Sequence, residues 1–430
     1  MRLLLCIAAL LAPAVFVTAH DYIPGAPQTV PILLKGGTLY TVSDGVQETT
    51  DLLFENGRIT QIARDIVPPE NTRVIDVTGK HIYPGLIAAG TKLGLVEIGA
   101  VRATVDQTEA GRVNPDVQTH VAYNPDSEII PTLRSNGIAY AEIAPDGPLL
   151  AGRSCLLNLD AWTKEDAAVN LNVGLHLYWP DVAISRGWWE QRSPEKQREA
   201  QKKEREELRR AFEDALAYRT AKAADPNIEV DSRWEAMRPI FDRTLPVFVH
   251  ADDCRQIEEA VQFAREFGLR MILVGGREAW KLTELLKQND IPVLYGYSHA
   301  LPMRQDDPYD QAFATPRLLR EAGVRFGIAI LSTWSARNLA FDAGQAAAFG
   351  LDRDAALRAV TLSVAEILGA DEKIGSLAVG KNATLVVSDG DILNPLTCRV
   401  TQMFIDGREV NLDDKHKELY RKYRAKQVDR

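Results

Sequence analysis

Two textures alternate along the chain. From residue 31, the stretches PILLKGGTLYTV, DLLFENGRITQIA and TRVIDVTGKHIY carry period-two apolar patterns, as in strands with one buried face. Asn56-Gly57, inside the second stretch, is a hairpin signal because both residues tolerate positive φ. The same texture returns near the C-terminus in GSLAVGKNATLVVSDGD and RVTQMFIDGREV. Neither end has enough strands to bury a face alone. Residues 30–80 and 372–412 are therefore expected to form one small composite β-sandwich domain.

Between these ends, over residues 81–371, the period changes. Apolar runs without alternation, such as LPVFVHADD, RMILVGG, IPVLYGYS and VRFGIAILS, are separated by helical stretches such as CRQIEEAVQFAREFG and AWKLTELLKQN. Strands buried on both faces and alternating with helices point to a parallel sheet. Together with residues 82–95, AYAEIAPDG and VNLNVGLHLYW, about eight strands fit a (β/α)8 barrel. No G-x-G-x-x-G turn follows a strand, which argues against the open, doubly wound alternative. Residues 188–223 mix acids and bases at i, i+4 spacing. They read as a charged helical insertion in the barrel. It is either solvated or offers Leu208, Phe212, Leu216 and the Trp188-Trp189 pair to a partner. Residues 413–430 read as a basic C-terminal tail.

Residues 1–19, MRLLLCIAALLAPAVFVTA, set one Arg before a short apolar run and a small-residue exit. That is the layout of a secretory signal peptide, and its apolar run is too short to span a bilayer. No later segment reads as transmembrane. The expectation is an exported protein, periplasmic or extracellular, with no membrane span. The net charge of −9 adds an exclusion: there is no basic patch to hold nucleic acid. Past the signal segment three cysteines remain, Cys155, Cys254 and Cys398. They are too few for a disulfide scaffold and leave at least one thiol unpaired.

Three stretches carry a family resemblance: VIDVTGKHIYPGLIAAGTKLG, KIGSLAVGKNATLVVSDGD and VTQMFIDGREV. With the strand–helix layout, they resemble the amidohydrolase superfamily, closest to its imidazolonepropionase-like and dihydroorotase-like secreted members. The resemblance spans about residues 30–412 and implies a TIM-type barrel beside a β-sandwich built from both termini. It also implies hydrolysis of non-peptide C–N bonds, amide or cyclic amide. Zinc or another divalent metal would generate the attacking hydroxide. The implied ligands are a histidine pair on strand 1, a bridging residue near strands 3–4, one histidine each on strands 5 and 6, and an Asp on strand 8. Here the strand-1 pair falls on Gly90 and Lys92. The strand-5 histidine is present as His250. The strand-6 position falls on Gly275 or Gly276, and the strand-8 position on Trp334. A stable site needs three or more converging donors, so no resident metal is expected.

The expectation that follows is a degenerate family member serving as a binding subunit. Its partner would be a ligand-complete relative or a second copy, with a small molecule in the barrel mouth. An active C–N hydrolase with an atypical or metal-free site is the alternative. Lys92 either neutralises carboxylates such as Asp252 or Asp253, or acts as a base or nucleophile. His250 is either a hydrogen-bonded remnant or an acid/base group, with Asp252 beside it. Arg102, Asp106, Glu109 and Asn124 in the long loop after strand 1 are candidate substrate contacts, as are His299 and Arg337. His176, in VGLHLYW, reads as a core histidine.

Overall fold

The computed structural model describes residues 23–428; the signal segment at 1–19 lies outside them. Sixteen strands are arranged in two eight-stranded sheets. The first sheet takes β1 (Ile32–Tyr40), β2 (Val46–Glu55), β3 (Arg58–Ala63), β4 (Arg73–Asp76) and β5 (His81–Pro84) from the N-terminal part. It takes β14 (Leu385–Ser388), β15 (Val400–Ile405) and β16 (Arg408–Glu409) from the C-terminal part. Their order is β16-β15-β14-β5-β1-β2-β3, with β4 on β1. The two parts join where β5 runs antiparallel to β14, from Pro84 opposite Leu385 to His81 opposite Ser388. Leu34, Leu52, Phe54, Ile82, Leu385 and Phe404 form the core of this sheet. Asn56 and Gly57 turn the β2–β3 hairpin at φ 52° and 75°, as the dipeptide predicts.

The second sheet is the expected barrel. Its strands are β6 (Leu86–Thr91), β7 (Ile138–Ile143), β8 (Leu149–Asn158), β9 (Ala168–Tyr178), β10 (Val247–Ala251), β11 (Met271–Gly275), β12 (Val293–Tyr295) and β13 (Phe326–Ile328), paired in that order. The sheet nearly closes. Ile87 N–H donates to Val360 O and Ile328 N–H to Ala359 O, so the 359–360 backbone bridges β6 and β13. One strand departs from the parallel pattern: β8 runs antiparallel to both β7 and β9. Short connections, not helices, join these three strands, and a hairpin link must reverse direction.

The inserted helix runs Pro194–Ala224, capped by the Ser193 side chain on Lys196 N–H. Trp188 and Trp189 lie before it, exposed. Its Leu208 and Phe212 are buried, with Phe212 edge-on to Phe241 and Phe263. Leu208 and Phe212 therefore pack within the fold, while Leu216 is half-buried. The three cysteines are free. No helix among the described residues is long and apolar enough to cross a membrane.

Gly85 is the hinge from sheet to barrel. A Cβ there would lie 2.5 Å from Ala139 Cβ and 2.8 Å from Thr384 Cγ2. Only glycine lets β5 continue into β6 against both neighbours. Gly85→Ala is expected to lower stability by about 1–3 kcal/mol through overpacking, read by urea denaturation. An unchanged midpoint would show that the crossing has slack.

Candidate functional site at the barrel mouth

The barrel interior is apolar except for one chain of polar side chains near the C-terminal strand ends. Glu142 sits in β7 with no solvent exposure. Its Oε2 accepts the Gly90 amide of β6 at 2.6 Å, and its Oε1 lies 3.1 Å from His176 Nε2 in β9. His176 Nδ1 lies 2.9 Å from His250 Nε2 in β10. His176 stacks on Phe248, and His250 stacks on Tyr178 with ring centroids 3.9 Å apart.

Burial acts against the Glu142 carboxylate, but hydrogen bonds from His176 and the Gly90 amide hold its pKa below the ordinary range. Burial pushes the His176 ring down, partly offset by Glu142. His250 is pushed well down by burial, with His176 and Lys92 adding to the push. At neutral pH the chain is one anion and two neutral imidazoles. The hydrogen-bond directions follow from that. Glu142 accepts from His176 Nε2–H, so His176 Nδ1 accepts from His250 Nε2–H. His250 Nδ1 is left as the basic nitrogen.

Lys92, 8% exposed, follows β6. Its Nζ donates to Pro145 O at 2.9 Å and to Tyr178 OH at 3.2 Å. Burial lowers its pKa, opposed by Asp146 and Glu142. These acids, not Asp252 or Asp253, are the carboxylates that Lys92 feels. Asp252 instead accepts from Tyr297 OH and, at 3.4 Å, from the Arg277 amide. Burial raises its pKa. Asp253 caps the helix Cys254–Glu266 and pairs with Arg255 and Arg304.

These residues do not fit a divalent ion. Of the implied strand-1 pair, Gly90, and of the strand-6 candidates, Gly275 and Gly276, lie in left-handed backbone, at φ 73°, 90° and 65°, which an L side chain adopts only under strain. The space beyond each is taken. A Cβ on Gly90 would meet Leu331 Cδ2 at 2.5 Å, and one on Gly275 would meet Asp252 Oδ1 at 2.5 Å. His250 Nε2 carries the proton that His176 accepts, so it offers no lone pair inward. Trp334 is 46% exposed. A second group, Asp253, Cys254 and Glu278, has donor atoms within 4.8 Å. Its carboxylates already hold protein cations: Arg304 Nη2 is 2.7 Å and Lys281 Nζ 2.6 Å from Glu278. Burial raises the Cys254 thiol, away from the thiolate a metal needs.

Of the site positions singled out in the sequence, Gly90 and His250 belong to this chain, and Lys92 joins it through Tyr178. His176, read as a core histidine, is its middle member, and Glu142 was not singled out. A lone carboxylate in the apolar run AYAEIA was the available signal. Asp106 and Glu109 line a separate 360 Å³ cavity with Asp116 and Pro145. Arg102 bonds its own loop at Val105 O, and Asn124 bonds Glu97. His299 Nε2 lies 3.2 Å from Asp342, whose carboxyl burial raises to about 7. Arg337 sits in the short turn Ser335–Asn338.

The neutral histidines set a pH dependence. Each is uncharged in the fold and protonates below about 6.5 when unfolded. The unfolded state then binds more protons, so stability falls as pH drops from about 6.5. Glu142 adds its own loss at lower pH, since its folded pKa is depressed. His250→Gln keeps a donor for His176 and is expected to flatten the slope by about one proton, ~1.4 kcal/mol per pH unit. Denaturation midpoints between about pH 7 and pH 5 measure this. Identical slopes for both proteins would refute the neutral assignment.

The sequence profile of the Amidohydrolase family matches residues 157–412. An amidohydrolase of Thermotoga maritima is similar in structure at a TM-score of 0.78, with 24% identity, covering 88% of this chain and 99% of its own. Amidohydrolase tasK of Hapsidospora irregularis is 24% identical over 83% of this chain and 39% of its own length. A dihydropyrimidinase of Dictyostelium discoideum is 33% identical over 38% of this chain and 26% of its own. The chain thus spans about two fifths and a quarter of these two curated relatives. Matched over more than half its length, the chain belongs to the amidohydrolase family.

Proposed function

We propose that this chain is an exported, non-catalytic member of the family that serves as a binding subunit. One observation carries the reading: Gly90 and Gly275, two positions where the family resemblance implies metal ligands, are glycines in left-handed backbone, with the Leu331 and Asp252 side chains packed close beside them. The remaining histidines bond each other. Export rests on the leader-like residues 1–19.

The loops that leave the C-terminal strand ends support a binding role. They expose Ile98, Val101, Trp188, Trp189, Leu301 and Trp334. Large apolar residues exposed on one pole mark contact surfaces more than isolated ones do. A ligand-complete relative or a second copy is the partner this reading names. A second reading, metal-free hydrolysis of amide or cyclic-amide C–N bonds, has one observation in its favour. The Glu142–His176–His250 chain orients the His250 ring with Nδ1 unprotonated, the arrangement of an oriented general base, although burial weakens it as a base.

The test is metal content together with turnover. Protein purified without chelator is expected to hold far less than one zinc, manganese or iron per chain. It is expected to leave dihydroorotate and dihydropyrimidines intact, with or without added zinc. Stoichiometric metal, or turnover that rises with added metal, would overturn the proposal. Metal-independent turnover abolished by His250→Gln would establish the second reading. Lys92→Met removes two buried hydrogen bonds and is expected to cost about 1–3 kcal/mol.

A further inference from the structure

The pole opposite the mouth carries a second feature. The parallel strands β10, β11, β12 and β13 start there, and a cavity of about 560 Å³ opens among their leading residues. Four arginines line it: Arg243, Arg265, Arg270 and Arg325. Three of them precede strands, Arg243 before β10, Arg270 before β11 and Arg325 before β13. Two acids also line it, Asp290 and Glu366. Both are engaged: Asp290 pairs with Arg325 at 2.8 Å, and Glu366 pairs with Arg358 at 2.5 Å. Among the described residues, Arg243, Arg265 and Arg270 have no carboxylate partner. The floor is apolar, with Val261, Leu269, Ile291 and Ile367.

Two further observations bear on this cluster. Arg243 sits at φ 60°, in the left-handed turn that ends the helix Ser232–Phe241. Glycine is the usual residue there, because a side chain strains the left-handed backbone. Burial also lowers the Arg270 guanidinium, and Arg243 and Arg325 lower it further by repulsion. Arg243, Arg270 and Arg325 therefore press on one another in a chain whose net charge is −9. An anion arriving among them would relieve that repulsion.

We propose that this cavity is a binding site for a small molecule carrying a phosphate or similar dianionic oxyanion, held by Arg243, Arg265 and Arg270. The guanidinium fork matches such oxygens in pairs. The apolar floor accepts an organic group attached to the anion. The site lies at the far pole from the Glu142–His176–His250 chain and stands independently of what the mouth does.

The experiment uses the full chain with inorganic phosphate and phenyl phosphate as probes, against sodium chloride at matched ionic strength. Both probes are expected to bind saturably by calorimetry and to raise Tm beyond the salt control. Phenyl phosphate should bind more tightly, since it alone reaches the floor. Arg270→Gln and Arg243→Gln are each expected to weaken phosphate binding about tenfold. Arg317→Gln, on an exposed helix paired to Glu321, controls for simple loss of positive charge and should bind as the parent does. Stabilisation no greater than in chloride, or equal weakening in all three variants, would overturn the proposal. Phosphate binding without any gain for phenyl phosphate would limit the ligand to free inorganic anion.

Discussion

A single buried carboxylate organises the barrel mouth. Glu142 has no access to water, and an isolated charge in that setting is prohibitively costly. The fold meets this with two direct donors, the Gly90 amide and His176 Nε2–H. Each has consequences. The Gly90 amide can reach inward because β6 turns into left-handed backbone there. His176, committed to the carboxylate through one nitrogen, must accept through the other, and His250 is the donor it finds. The stacking of His250 on Tyr178 then places the Tyr178 hydroxyl beside Lys92. Five residues on or next to three strands are fixed by the need to keep one charge satisfied.

This arrangement and a divalent ion compete for the same atoms. A dication among these side chains would need the Gly90–Glu142 and His176–His250 hydrogen bonds broken and both imidazoles re-tautomerised. Lys92 occupies this region from within the chain instead: burial works against its charged form, and Asp146 and Glu142 favour it. A protein cation has a fixed position and needs no coordination sphere, so the strands around it can be closed by Leu331 and by glycine. Apolar closure in turn deepens the burial that keeps both histidines neutral.

Much of this architecture was legible in the chain, for reasons that differ by element. Period-two patterns at both ends mark strands with one wet face, and apolar runs mark strands covered on both. The reversal of β8 was not legible. LLAGRSCLLN is buried along nearly its whole length, and an apolar run carries no information about direction. That Gly90 and Gly275 or Gly276, where the resemblance implies ligands, carry no donor atom could be read. What packs beside them could not be read. Leu331 and Asp252 come from neighbouring strand ends, and neither is unusual for its own segment. Lys92 was read toward Asp252 and Asp253 because they sit beside His250 in sequence. The barrel turns them elsewhere, Asp252 to Tyr297 and Asp253 to the helix cap.

The two poles of the barrel differ in how they handle charge, and that difference separates stability from recognition. At the mouth, Glu142, Lys92, Asp253, Glu278 and Arg304 all have partners inside the chain. Paired groups of this kind hold a structure in place and leave little field for a ligand to use. At the far pole Arg243, Arg265 and Arg270 line an open cavity without acids of their own, while the chain as a whole is acidic. A cleft whose sign opposes that of the surrounding surface concentrates ions of complementary charge. Solvent can screen exposed arginines, so most such clusters cost little. Arg270 is exposed like its neighbours; what sets it apart is that partial desolvation and repulsion from Arg243 and Arg325 lower its guanidinium. The uncompensated charge thus lies where barrel enzymes do not place their chemistry, and it is the pole with the stronger physical demand for an occupant.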